Sequence, residues 1–143
     1  ADDGNGWSVK SWYVTLNSGA VYSNEMDVSP GDAIFGNMTR TGAEKWFIGS
    51  TSVQTGKSTT ISADHPRLKT QPWAYNTLEC YGCQGCSTYP QKPCKFTKLQ
   101  LFKTGMKPVT PTWKNNPKPA QDRKCHESIA VESPSEVTIG FQS

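Results

Sequence analysis

The sequence predicts an all-β protein built as a sandwich of two packed antiparallel sheets. Three observations lead there. Short runs of alternating apolar and polar residues recur along the chain, about eight to ten of them, at the spacing a sandwich needs. Turn formers separate them: Gly 12 and Pro 10, with abundant Ser and Thr, favour strands joined by turns over helix. No stretch carries the apolar stripe of an amphipathic helix. With 143 residues, no internal repeat and no sign of a second domain, the chain reads as one domain over 1–143, long enough to enclose a core.

The first strand is expected over Ser11 to Leu16, with Trp12, Val14 and Leu16 on one face and Tyr13 and Thr15 on the other. Asn17-Ser18-Gly19 turns the chain into an extended piece from Val21 to Val28, closed by the turn Ser29-Pro30-Gly31-Asp32. Ala33 to Thr39 and Lys45 to Val53 are the next strands, the second with Trp46 and Ile48 facing away from Phe47. Gln54-Thr55-Gly56-Lys57 turns into Ser58 to Ser62, and Asp64 to Gln71 is a polar connection to a strand from Trp73 to Tyr81. Gly82 to Pro93 is a Cys-rich loop without periodicity, whereas Phe96 to Lys103 alternates strictly, Phe96, Lys98, Gln100 and Phe102 opposing Thr97, Leu99 and Leu101. Lys107 to Lys124 holds four prolines and reads as a long surface loop. Ser128 to Val131 and Glu136 to Phe141 flank Ser133-Pro134-Ser135 as a terminal hairpin.

The composition narrows the function classes. A net charge of +3 with scattered Lys residues lacks the concentrated basic face of a nucleic-acid binder. No apolar run approaches the ~20 residues of a membrane span. The polar start Ala1-Asp2-Asp3-Gly4 reads as a mature end whose leader has been removed. Cys80, Cys83, Cys86 and Cys94 crowd one segment and Cys125 stands apart. Two disulfides with one free or intermolecular thiol account for them better than zinc, because the distant half of a zinc site would have to come from Cys125-His126. Asn37-Met38-Thr39 is a glycosylation sequon and, with the disulfides, points to a secreted glycoprotein. No phosphate-binding Gly-rich loop is present, and neither cofactor nor metal is expected.

The strand from Trp73 to Tyr81 carries the chemistry. Alternation puts Trp73, Tyr75, Thr77, Glu79 and Tyr81 on one face, three rings around one carboxylate. Aromatic faces stack on sugar rings and apolar side chains, while carboxylates and amides take the hydrogen bonds. A core position for this face would strand the Glu79 carboxylate, unless a Lys such as Lys98 pairs with it across the sheet. As a general acid or base, Glu79 would need an amide partner, and only Gln54 or Gln142 offers one. His65 and His126 sit in no triad pattern, and Cys125 and His126, as neighbours on a strand, would point apart.

Several segments, in order, resemble the glutamic peptidases, the eqolisins. Trp12-Tyr13 is similar to that family's Trp-Tyr-Glu-Trp, and Asp27 to Ile34 to its Ile-Ser-Ala-Gly-Asp-x-Ile. Ser58-Thr59-Thr60 resembles its Thr-Thr-Gly connection, and Ala74 to Glu79 its Ala-Glu-Trp-Ile-Val-Glu. Ser128 to Val131 and Ser135 to Ile139 resemble its closing strands. The resemblance implies a concanavalin-like jelly roll with its catalytic Gln and Glu on the concave face. Residues Ala1 to Ser11 contain no Gln, and Tyr75 stands where the family has its first Glu, Glu79 keeping the second. The expectation is therefore a secreted, glutamic-peptidase-like sandwich without peptidase activity, binding an extracellular glycan or protein through the Glu79 face. Two alternatives remain: an acid endopeptidase using Glu79, and an extracellular assembly protein forming homo-oligomers through an unpaired cysteine.

Overall fold

The architecture grows from hairpins whose registers follow the sequence. The computed structural model describes residues 6–15, 19–78, 85–90, 92–115, 125 and 127–141. It is mostly β, arranged as several small antiparallel sheets, none of them closed. The chain divides into two compact units, Ala1–Trp73 and Ala74–Ser143.

The first unit starts with a strand the sequence did not announce, β1 (Trp7–Val9), followed by β2 (Trp12–Thr15). The expected extended piece from Val21 to Val28 is two strands, β3 (Gly19–Tyr22) and β4 (Met26–Val28). β1 pairs with β4 and β2 with β3, but the registers differ by one residue: Val9 faces Met26, whereas Trp12 faces Tyr22. Ser11 and Ser23 meet at the break, Ser23 N–H donating to Ser11 O at 3.0 Å and Ser11 N–H to Ser23 Oγ at 2.9 Å. Asn24 is thus the extra residue of a β-bulge, which splits one long hairpin into two short ladders.

Buried hydroxyls satisfy that bulge. Thr59 Oγ1 shares its single proton between Asn24 O at 2.5 Å and Ser23 Oγ at 2.6 Å. Ser11 Oγ donates to Thr59 O at 3.1 Å. Ser11, Ser23, Ser52 and Thr59 are all buried, and each bond replaces one that water would otherwise supply. Ser29-Pro30-Gly31-Asp32 turns as expected: Gly31 takes φ 95°, Asp32 N–H donates to Ser29 O at 3.0 Å, and Asp32 Oδ2 accepts from Ser29 N–H at 2.9 Å. Three strands follow, β5 (Ile34–Arg40), β6 (Lys45–Ser52) and β7 (Ser58–Asp64), in the spatial order β5-β6-β7. A 3-10 turn, Pro66–Lys69, packs on β6, burying Leu68 and accepting Trp46 Nε1–H at Leu68 O, 3.0 Å away. Among the described residues of this unit, Met26, Ala63 and Leu68 are the buried apolar side chains.

In the second unit β8 (Cys94–Phe96), β11 (Glu127–Ser133) and β12 (Glu136–Phe141) form a sheet in the order β11-β12-β8. The terminal hairpin appears where the sequence put it. Two side-chain rows cross the sheet, Val131–Val137–Phe96 and Ile129–Ile139–Cys94, and Val137 and Ile139 are buried. The single strand expected over Phe96 to Lys103 is broken instead. Lys98 takes φ 55° and Leu99 N–H bonds Ser135 O at 3.0 Å, so the chain leaves the sheet and restarts as β9 (Leu101–Lys103). β9 pairs with β10 (Lys107–Val109), a strand inside the expected Pro-rich loop. Pro108 is tolerated there because β10 is an edge strand.

Candidate functional site

The strand expected over Trp73 to Tyr81 does not form in its described part. Residues 70–78 have no regular structure and pair with no neighbour among the described residues. Alternating aromatic residues make a strand only where a ladder receives their backbone, and Pro72 removes one donor at the start. Exposure still alternates: Tyr75 and Thr77 are exposed, Asn76 and Leu78 half-buried. Trp73 and Tyr75 are 82% and 77% exposed, and the boundary between the two units falls just after Trp73. Glu79 and Tyr81 lie outside the described residues, as do Cys80, Cys83, His126 and Gln142.

The aromatic surface that the described residues do build is on the first hairpin. Trp12 and Tyr22 face each other across β2 and β3, next to the bonded Ser11–Ser23 pair. Their position is therefore a non-hydrogen-bonded one, where side chains come closest. The ring centroids are 4.7 Å apart, tilted by 43°, and the residues are 47% and 55% exposed. The bulge sets what lies beside them. Because Asn24 is inserted, Lys10 comes opposite Glu25, and Lys10 Nζ meets Glu25 Oε1 at 2.6 Å. The same ammonium stands 4.9 Å from the Tyr22 centroid and 5.9 Å from that of Trp12. Two rings, an ammonium and a carboxylate thus share one exposed patch. Tyr22, Lys10 and Glu25 escaped the sequence reading; the β2–β3 register sets Tyr22 opposite Trp12, and the bulge sets Lys10 opposite Glu25.

The opposite face of this hairpin lines a cavity of about 250 Å³ with Tyr13, Val21, Ile61, Ala63, Asp64 and His65. Tyr13 and His65 rings lie 5.9 Å apart, and His65 Nδ1 accepts from Arg67 N–H at 3.2 Å. The Tyr13 hydroxyl is buried and has no hydrogen-bond partner among the described residues. Asp64 pairs instead with Lys45, at 3.1 Å.

Cys86 and Cys125 form a disulfide, so Cys125 is not available as a zinc thiolate. Among the described residues no three His, Cys, Asp or Glu side chains group as metal ligands. Cys94 is a free thiol, half-buried in its sheet row, and burial pushes its pKa up. Gln54, the described candidate amide, accepts Ala33 N–H at 2.9 Å and secures a turn. Asn37 is exposed on β5. Among the described residues no helix is long and apolar enough to cross a membrane. No family model matches the chain, and no curated protein or solved structure matches it.

Proposed function

We propose that this chain is a secreted carbohydrate-binding protein of the glutamic-peptidase-like sandwich type, without peptidase activity, and that sugars bind on the Trp12–Tyr22 patch. The supporting observation is the patch itself: two exposed rings with centroids 4.7 Å apart, flanked by a Lys10–Glu25 pair at 2.6 Å. Aromatic faces take the C–H faces of pyranose rings, and an ammonium and a carboxylate bond the hydroxyls that remain. An uncharged, polyhydroxylated ligand fits, since the charges of Lys10 and Glu25 already compensate each other. The Cys86–Cys125 disulfide favours an oxidising, extracellular setting. Tyr75, at the position corresponding to the first Glu of the eqolisins, supplies no carboxylate.

The test is retention on an array of neutral glycans by wild type, Trp12→Ala and Trp73→Ala. Trp12→Ala is expected to weaken binding by about tenfold, the equivalent of ~1.4 kcal/mol for one lost stacking contact. Trp73→Ala is expected to bind as wild type does. Loss with Trp73→Ala alone would place the site on the 73–81 segment instead, and silence of the wild type across the array would defeat the reading.

A further inference from the structure

The sequon lies in the middle of β5, in surroundings shaped for a sugar. Asn37 faces Gly49 across the ladder, so no cross-strand side chain stands beside it. The Phe47 ring lies over Gly49, close enough that a Cβ there would approach it to 3.0 Å. On the strand itself Phe35 and Thr39 share the face of Asn37, about 7 Å to either side. Phe35 is 60% exposed. Thr39 Oγ1 donates to Asn37 Oδ1 at 2.9 Å, and Asn37 Nδ2 has no acceptor among the described residues.

The edge beside Asn37 is open as well. Thr41 bonds Lys45 and Val53 bonds Ala33, which fixes the odd-numbered residues of β5 as those bonded to β6. Ile34, Gly36, Met38 and Arg40 therefore turn their backbone groups outward, and no described strand pairs with them. Ile34 and Met38 are exposed too. A seven-residue open edge carrying exposed Ile34, Phe35 and Met38 is a template for pairing with another chain unless something covers it.

We propose that Asn37 carries an N-linked glycan whose first sugar packs between Phe35 and Phe47, and that this glycan shields the β5 edge. In the linking step Asn37 Nδ2 attacks C1 of an oligosaccharide carried on a polyisoprenol diphosphate. The N–C1 bond forms as the C1–O bond breaks, the diphosphate leaves with the electron pair, and the amide gives up one proton. The proposal concerns a modification, not a ligand, and stands or falls separately from sugar binding at Trp12.

The full chain is passed through a eukaryotic secretory host and, in parallel, translated into microsomes, so that poor secretion does not hide the result. Wild type should lose one glycan on treatment with peptide-N-glycosidase, leaving Asp at position 37, and Asn37→Gln should lose none. Removing the glycan should lower Tm by roughly 3–5 °C in wild type but not in Phe35→Ala, where the packing surface is gone. Asn37→Gln should self-associate in sedimentation while the glycosylated protein stays monomeric. An unmodified Asn37 in both systems overturns the proposal. An equal Tm loss in Phe35→Ala overturns the packing, and a monomeric Asn37→Gln overturns the shielding.

Discussion

Single hydroxyls do much of the work in this protein. Thr59 is buried and its proton serves both Asn24 O and Ser23 Oγ, so Thr59→Val keeps the shape while taking away the donor. That change should cost about 1–3 kcal/mol in urea unfolding, against less than ~0.5 kcal/mol for Ser58→Ala, whose hydroxyl pairs with Thr51 at the surface. Tyr13 is the reverse case. Its buried hydroxyl has no described partner, so Tyr13→Phe removes a desolvation penalty and should raise stability by about 1 kcal/mol. A loss of stability on that change would mean that the hydroxyl is bonded in solution, through the cavity it borders. Cys94 illustrates a third effect. Half-burial beside Ile139 raises its pKa, so the thiolate is scarce at neutral pH, and it becomes available only as pH climbs past the ordinary thiol range. Iodoacetamide should therefore modify Cys94 in the native protein more slowly at pH 8 than it modifies glutathione. Equal rates would show that burial does not hold the Cys94 thiol back.

At the scale of elements, what could be read from the sequence was what depends on neighbours in the chain. The Ser29 to Asp32 turn, the three strands β5 to β7 and the terminal hairpin appear within a few residues of their expected bounds, because alternation and Pro-Gly chemistry are local signals. The failures share one cause. Strict alternation from Phe96 to Lys103 gave no warning that Leu99 would bond Ser135, a partner far along the chain, with Lys98 turning the strand aside. Likewise Val21 to Val28 reads as continuous until buried Thr59 holds Asn24 in a bulge. The same bulge decided the candidate site. Trp12 was visible as a strand residue, but the Lys10–Glu25 pair beside it depends on a register shift that no single segment encodes. The Trp73 segment had the opposite fate: its pattern is that of a strand, yet no described ladder receives it through Leu78.

For the molecule as a whole, stability should depend heavily on covalent closure. Among the described residues of the second unit, the buried apolar side chains are Val137, Ile139 and Cys125. The Cys86–Cys125 bond joins positions 39 residues apart, and closing a loop of that length in the unfolded chain is worth about 4 kcal/mol. A Cys86→Ser/Cys125→Ser double variant should accordingly unfold at markedly lower denaturant than wild type, and an unchanged midpoint would show that this unit is held by its sheets alone. Function poses the larger question, because the proposed sugar binding rests on one hairpin patch. The chain has five Trp residues, and each gives a separate indole N–H signal in a nitrogen-edited NMR spectrum. Titration with a neutral oligosaccharide retained on the array addresses the claim most directly. Movement of the Trp12 signal, with those of Trp46 and Trp73 stationary, is the expected result; movement of Trp73 with Trp12 unmoved, or of none of the five, would contradict it.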